Sequence, residues 1–208
     1  MSIFAKPKVT QTTNDYGVKV MFLHGLEGNP NGTKASALTK DWSAVCPTMR
    51  TLGLANLRSQ CAGAWHTLEQ REIDKQFDVP YQDAKDAVRY ANPDVIVGSS
   101  MGAAVLFKLI AEGHFTGSAV FCAPAIGSLL PDKYVQEALT NDSSRFANSV
   151  WLFGEVDTVV SNSYHLKIAK SVGGSIIFSP NDGHRLNKAV TSNILNSAVL
   201  TSIELLGS

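Results

Sequence analysis

The residues best placed to do chemistry lie in DVIVGSSMGAAVLFKLI, where an apolar run passes through Gly98-Ser99-Ser100-Met101-Gly102 into a helical pattern. A GxSxG segment between a strand and a helix forces a turn so sharp that its central residue takes strained backbone angles, and the residues two positions either side must lack bulk. Gly98 and Gly102 meet that demand, and Ala103 and Ala104 let the helix start close to the sheet. Ser100, not Ser99, is centred in the motif, so its hydroxyl would project at a helix N-terminus, where developing negative charge is favoured. The chemistry this suggests is nucleophilic attack by a serine.

A serine hydroxyl needs a base at neutral pH, and histidine suits that task. Of His24, His66, His114, His165 and His184, only His184 follows the last apolar strand, in the polar turn SPNDGHRLN, where a loop at the carboxyl edge of a sheet could deliver it to Ser100. The other four fit surface or hydrogen-bonded core positions. A carboxylate should orient the imidazole and stabilise its cation. Asp157 lies just past the strand SVWLFG, and the order Ser100, Asp157, His184 is that of one class of triad enzymes. Glu155, nearer the strand, and Asp182, close to His184 in a turn-forming segment, are its rivals.

The elements that must position these residues alternate in type. Strands are expected at 18–24, 44–49, 94–99, 118–123, 149–154 and 175–179, nearly all apolar, as in a parallel sheet covered on both faces. Helices are expected at about 33–42, 81–91, 101–112, 131–140, 160–171 and 187–206, giving an α/β protein with a three-layer α/β/α sandwich around a mostly parallel sheet. Pro93 after Asn92, and Gly173 with Gly174, close two of the helices. Segments 50–80 and 124–147 exceed ordinary connections and should shape a ligand site at the carboxyl ends of the strands. The first contains SQCAGAWHTLEQREIDKQF, which could form a helix over one end of the sheet, and its Trp65, His66 and Phe77 are candidates for either an acyl pocket or packing.

With GSSMG, GEVD and DGH in this order, the chain resembles the α/β-hydrolase family over nearly its whole length. The early loop Leu23-His24-Gly25-Leu26 matches that family's HG loop, Gly154 to Val160 matches its GxxDxxV pattern with the acid at Asp157, and HGLEGNPNGTKA is similar to the loop of small bacterial esterases with a minimal lid. The resemblance implies Ser100 as nucleophile, Asp157 as orienting acid and His184 as base. It places the oxyanion hole at the backbone N–H groups of Leu26 and Met101. It implies a serine esterase acting on small acyl groups, with no metal or organic cofactor. Against the family's pattern the chain is short: one or two fewer N-terminal strands are expected, and 124–147 is too short for a large helical cap, so the acyl site should be open and shallow. Thioester or amide cleavage on the same triad, or a sensor or protein-binding role with little turnover, are the alternatives.

The loop at 25–36 also invites comparison with a phosphate cradle, but the spacing fails. The position five residues after Gly25 is Pro30 and that after Gly28 is Thr33, and Lys34 is followed by Ala35, not by a magnesium-binding hydroxyl. Glu27, Asn29 and Lys34 of the same loop are further candidates for contact with a substrate.

The whole chain narrows the classes further. Its 208 residues fit one domain spanning 1–208, with no repeat or linker. Lys plus Arg and Asp plus Glu balance at 18 each, without the basic excess of a nucleic-acid or anionic-membrane binder, so a small-molecule partner is expected. Cys46, Cys61 and Cys122 are scattered, which argues against disulfides and a zinc site. The N-terminal 17 residues are too polar for a signal peptide, and no apolar run is long enough to span a membrane; a soluble cytoplasmic protein is expected.

Overall fold

The computed structural model describes residues 16–207. The N-terminal stretch read above for a leader therefore lies almost wholly outside the described residues. Five strands, β1 (Val20–Leu23), β2 (Val95–Ser99), β3 (Ser118–Cys122), β4 (Ser149–Gly154) and β5 (Ser175–Ser179), form one sheet in the order β1-β2-β3-β4-β5, every pair parallel. Because side chains alternate across a strand, apolar residues at consecutive positions feed two cores. Met21, Leu23, Ile96, Phe121, Trp151 and Phe153 pack on one face, and Val20, Phe22, Val97, Val120, Val150 and Leu152 on the other. β1 to β4 are near-continuous apolar runs, buried at every position because both faces are covered, while β5 at the sheet edge is only partly buried.

The helices are α1 (Thr33–Trp42), α2 (Leu52–Gln60), α3 (Gln70–Ala91), α4 (Met101–Ala111), α5 (Ile126–Leu129), α6 (Asp132–Asp142), α7 (Asn162–Ser171), α8 (Asn187–Thr191) and α9 (Ile194–Leu206). Helices α1, α8 and α9 cover the face bearing Val20 and Phe22, and α3, α4, α6 and α7 cover the other, completing the three layers. Trp42 of α1 donates its indole N–H to Asn196 of α9 at 2.9 Å, so the first and last helices are tied across the same layer. No helix among the described residues is long and apolar enough to cross a membrane.

Several expected elements differ. The strand expected at 44–49 is reduced to a bridge, in which Val45 donates to Val20 and accepts from Phe22, each at 2.9 Å. Pro47 lacks the N–H that would extend the pairing. The helix expected at 81–91 begins at Gln70 and carries Pro80 in its interior. An internal proline costs about 3 kcal/mol, but Ile73, Phe77, Tyr81, Ala84, Val88 and Ala91 form one buried stripe along the helix. Full burial of each larger apolar side chain contributes roughly 1.5–3 kcal/mol, so the stripe outweighs the break. Within SQCAGAWHTLEQREIDKQF, residues 65–67 form a 3-10 turn and the long helix starts only after Glu69. The helix expected at 187–206 is split at Asn193, which adopts a left-handed conformation at φ 65°. Asn92 does the same at φ 45° and ends α3 before β2.

Candidate active site

Ser100 sits between β2 and α4 with φ 54° and ψ −112°, a strained conformation for a residue with a side chain. The surroundings hold it there. Its N–H donates to Cys122 O at 2.9 Å, and its carbonyl accepts from Ala125 N–H at 3.2 Å, so the end of β3 grips the turn from both sides. The flanking glycines are required by contact. A Cβ on Gly98 would lie 2.7 Å from Gly102 O, and one on Gly102 only 2.1 Å from Leu23 O.

The strand ends deliver the other two residues. A Cβ on Gly154 would lie 2.5 Å from Gly183 O, so the loops after β4 and β5 are in backbone contact, and Val156 N–H donates to Asp182 O at 2.9 Å. That approach brings Asp157 to His184. His184 Nδ1 lies 2.8 Å from Asp157 Oδ2, and His184 Nε2 lies 2.9 Å from Ser100 Oγ. An ionised carboxylate can only accept, so Nδ1 carries the proton and Nε2 is left to accept from the serine hydroxyl. The Asp157 side chain is fully buried and that of His184 is 18% exposed. Burial pushes the Asp157 carboxyl up, but the hydrogen bond from His184 and those from the N–H groups of Val160 and Val159 together outweigh it and hold the pKa below the ordinary carboxylate range.

Because that pKa is depressed in the folded protein, its stabilising contribution is fully present above the unfolded-state value and is lost as pH falls through the folded one. The melting temperature of the wild type should exceed that of Asp157→Asn at neutral pH, with the gap closing below about pH 4. A gap that stays constant down to acid would show that Asp157 is not held as a carboxylate.

The two rival acids support the His184 loop instead. Asp182 accepts from Ser179 Oγ at 3.0 Å and from the N–H groups of Gly183 at 3.0 Å and Ala189 at 2.8 Å. Glu155 accepts from Asn181 N–H at 2.8 Å. The remaining histidines lie elsewhere. His24 is buried and accepts from Met49 N–H at 3.2 Å through Nε2. Burial lowers the pKa of His165 to about 4, and its ring joins Ser161 O to Gly127 N–H. His114 faces Glu112 at 3.7 Å, and His66 lies in the 65–67 turn. Cys122 is buried under the sheet end, its thiol pushed up to about 12 by burial.

Ser100 and His184 face two clefts. The smaller, of about 280 Å³, is lined by Leu26, Trp65, Met101, Ala125, Leu129 and Val160, among others, and the N–H groups of Leu26 and Met101 have no hydrogen-bond partner among the described residues. The larger, of about 610 Å³, includes Glu27, Asn29, Lys34, Arg58, Arg185 and Asn187. Both long excursions contribute walls: Arg58 and Trp65 from 50–80, Ala125 and Leu129 from 124–147. Phe77, by contrast, is core. Arg58 and Arg185 escaped the sequence reading. Arg185 adjoins His184 and could have been noticed for that, whereas nothing in the local sequence of Arg58 signals its place. Among the described residues no group of three or more His, Cys, Asp or Glu side chains could hold a metal ion.

No family model matches the sequence, and no curated protein is significantly similar to it. Solved structures are similar in fold. An α/β-superfamily protein from Xanthomonas campestris pv. campestris, assigned as a hydrolase, is 18% identical with a TM-score of 0.59, covering 91% of this chain and 98% of its own. Est1E from Butyrivibrio proteoclasticus is 13% identical with a TM-score of 0.61, covering 97% and 92%. An alpha-beta serine hydrolase homologue from Coxiella burnetii is 15% identical with a TM-score of 0.59, covering 91% and 86%. The all-parallel sheet between two helical layers, shared with these proteins over most of the chain, is the α/β-hydrolase fold.

Proposed function

We propose that the protein is a serine hydrolase that cleaves carboxylic esters of small acyl groups through an acyl-enzyme. The observation that carries the proposal is the unbroken hydrogen-bonded line from Asp157 through His184 to Ser100 Oγ. His184 Nε2 takes the serine proton as Oγ attacks the acyl carbonyl, and the negative charge that forms on the carbonyl oxygen is stabilised by the N–H groups of Leu26 and Met101. The tetrahedral species collapses, the bond to the leaving alcohol breaks, and His184 returns the proton to that oxygen. Water then attacks the acyl-enzyme by the same route, releasing the carboxylic acid and restoring Ser100, while Asp157 stabilises the imidazolium in both halves.

The small cleft beside Leu26 and Met101 supports short acyl chains. Hydrolysis of p-nitrophenyl acetate, butyrate and octanoate tests this directly, with the two shorter esters expected to have the higher kcat/KM. An absence of turnover on these esters, on acyl thioesters and on amides would favour the sensor or binding-module reading.

A further inference from the structure

The two clefts that meet at Ser100 share Leu26 and Arg58 and differ in what else lines them. The smaller adds Trp65, Met101, Leu129 and Val160, side chains that can receive a short acyl group, beside Ser128 and Thr158. The larger adds the cationic side chains of Lys34 and Arg185, so that with Arg58 three cations face the single carboxylate of Glu27. Glu27 is shared: Arg58 reaches Oε1 at 2.5 Å and Arg185 reaches Oε2 at 3.6 Å. The Glu27 side chain is 63% exposed, that of Arg185 80% and that of Arg58 34%, so both guanidinium groups are open to an incoming ligand. Lys34 is committed elsewhere, donating to Arg185 O at 2.5 Å and holding the chain beside His184.

A carboxylate shared by two arginines leaves donors and positive charge over. A planar guanidinium presents five N–H donors in a fork that fits carboxylate or phosphate oxygens. Resting on the reading of Ser100 as nucleophile, we infer that the leaving group of the natural substrate carries an anion, a carboxylate or a phosphate, received in the larger cleft by Arg58 and Arg185. The acyl chain takes the smaller cleft, and the leaving oxygen lies between the two at His184. Glu27 acts as the counter-ion of the empty cleft and releases part of the arginine pair when the substrate anion arrives.

The test compares esters with one acyl group and different leaving alcohols. Butyryl esters of glycolate, 4-hydroxybutanoate and 2-hydroxyethyl phosphate are assayed by pH-stat, the first two against their amides and the third against its methyl ether analogue. The best anionic ester should exceed its neutral partner in kcat/KM by about tenfold, the scale of one charge-assisted contact, and the ratio should shrink in high salt. In Arg58→Gln/Arg185→Gln the ratio should fall to near one. The anion that gains most identifies the group. Calorimetric binding of the same pairs to Ser100→Ala separates this inference from the hydrolase reading. Tighter binding of the anionic esters without wild-type turnover would uphold the anion site and sink the hydrolase. Turnover with equal kcat/KM and equal binding for charged and neutral esters, unaltered by the arginine substitutions, would overturn the anion site alone.

Discussion

Ser100→Ala is expected to lower kcat/KM for p-nitrophenyl butyrate by at least about 10⁴-fold, the scale found when a triad nucleophile is removed. The fold should survive. The left-handed φ of 54° is imposed by the bonds to Cys122 and Ala125, which use backbone atoms that alanine also supplies, so the melting temperature should change by only a few degrees. His184→Ala should cost about as much, because an unactivated hydroxyl is nearly as poor as none. The double variant should then be no worse than either single one, since groups that act as a unit give non-additive losses. Multiplying losses in the double variant would mean that Ser100 and His184 act independently, against the 2.9 Å hydrogen bond between them.

The second large effect is expected at a residue without a side chain. In Gly102→Ala the new methyl would lie 2.1 Å from Leu23 O and 2.7 Å from His24 O, both backbone atoms that cannot swing aside. Either α4 moves away from the end of β1 or β1 shifts, and in both cases the N–H of Met101 and the hydroxyl of Ser100 leave their positions beside Leu26. A displacement near 1 Å at a catalytic group costs about 100-fold in rate, and forced overpacking typically costs about 1–3 kcal/mol of stability. The variant should therefore lose turnover and melt at a lower temperature. Wild-type values for both would show that α4 does not press on β1 in solution.

The same glycines explain why so much of this fold was legible from sequence. GxSxG between a strand and a helix states a contact, and the space it implies is the space found at Gly98 and Gly102. Five of the six expected runs became the strands among the described residues; β1 to β4 are buried throughout, which needs consecutive apolar residues, whereas β5 is only partly covered. The failures have physical sources. AVCPTM has a strand-like composition, yet Pro47 removes a donor and only Val45 pairs. At Pro80 tertiary packing prevails, the buried stripe of α3 carrying a helix through a proline, whereas at Asn193 a left-handed backbone divides α8 from α9 locally.

The candidate site was legible to a different depth. Ser100, Asp157 and His184 each follow a strand, and residues at the carboxyl ends of parallel strands converge at one edge of the sheet. The cleft walls were not legible. Arg58 lies on α2, a helix the apolar pattern did not reveal, and its ion pair with Glu27 spans 31 positions of sequence. Lys34 and Arg185 are 151 positions apart, and their hydrogen bond depends on α1 and the β5–α8 loop meeting at the strand ends. Nothing local encodes such contacts; they follow from strand order.

The most direct test of the central claim is to incubate the folded wild-type protein with a fluorophosphonate and locate the adduct by peptide mass spectrometry. An activated serine attacks phosphorus and expels fluoride, so a stoichiometric adduct on Ser100 is predicted, with none on Ser99 and none on Ser100 in His184→Ala. Folded protein that stays unlabelled, or is labelled equally when His184 is absent, would contradict the account.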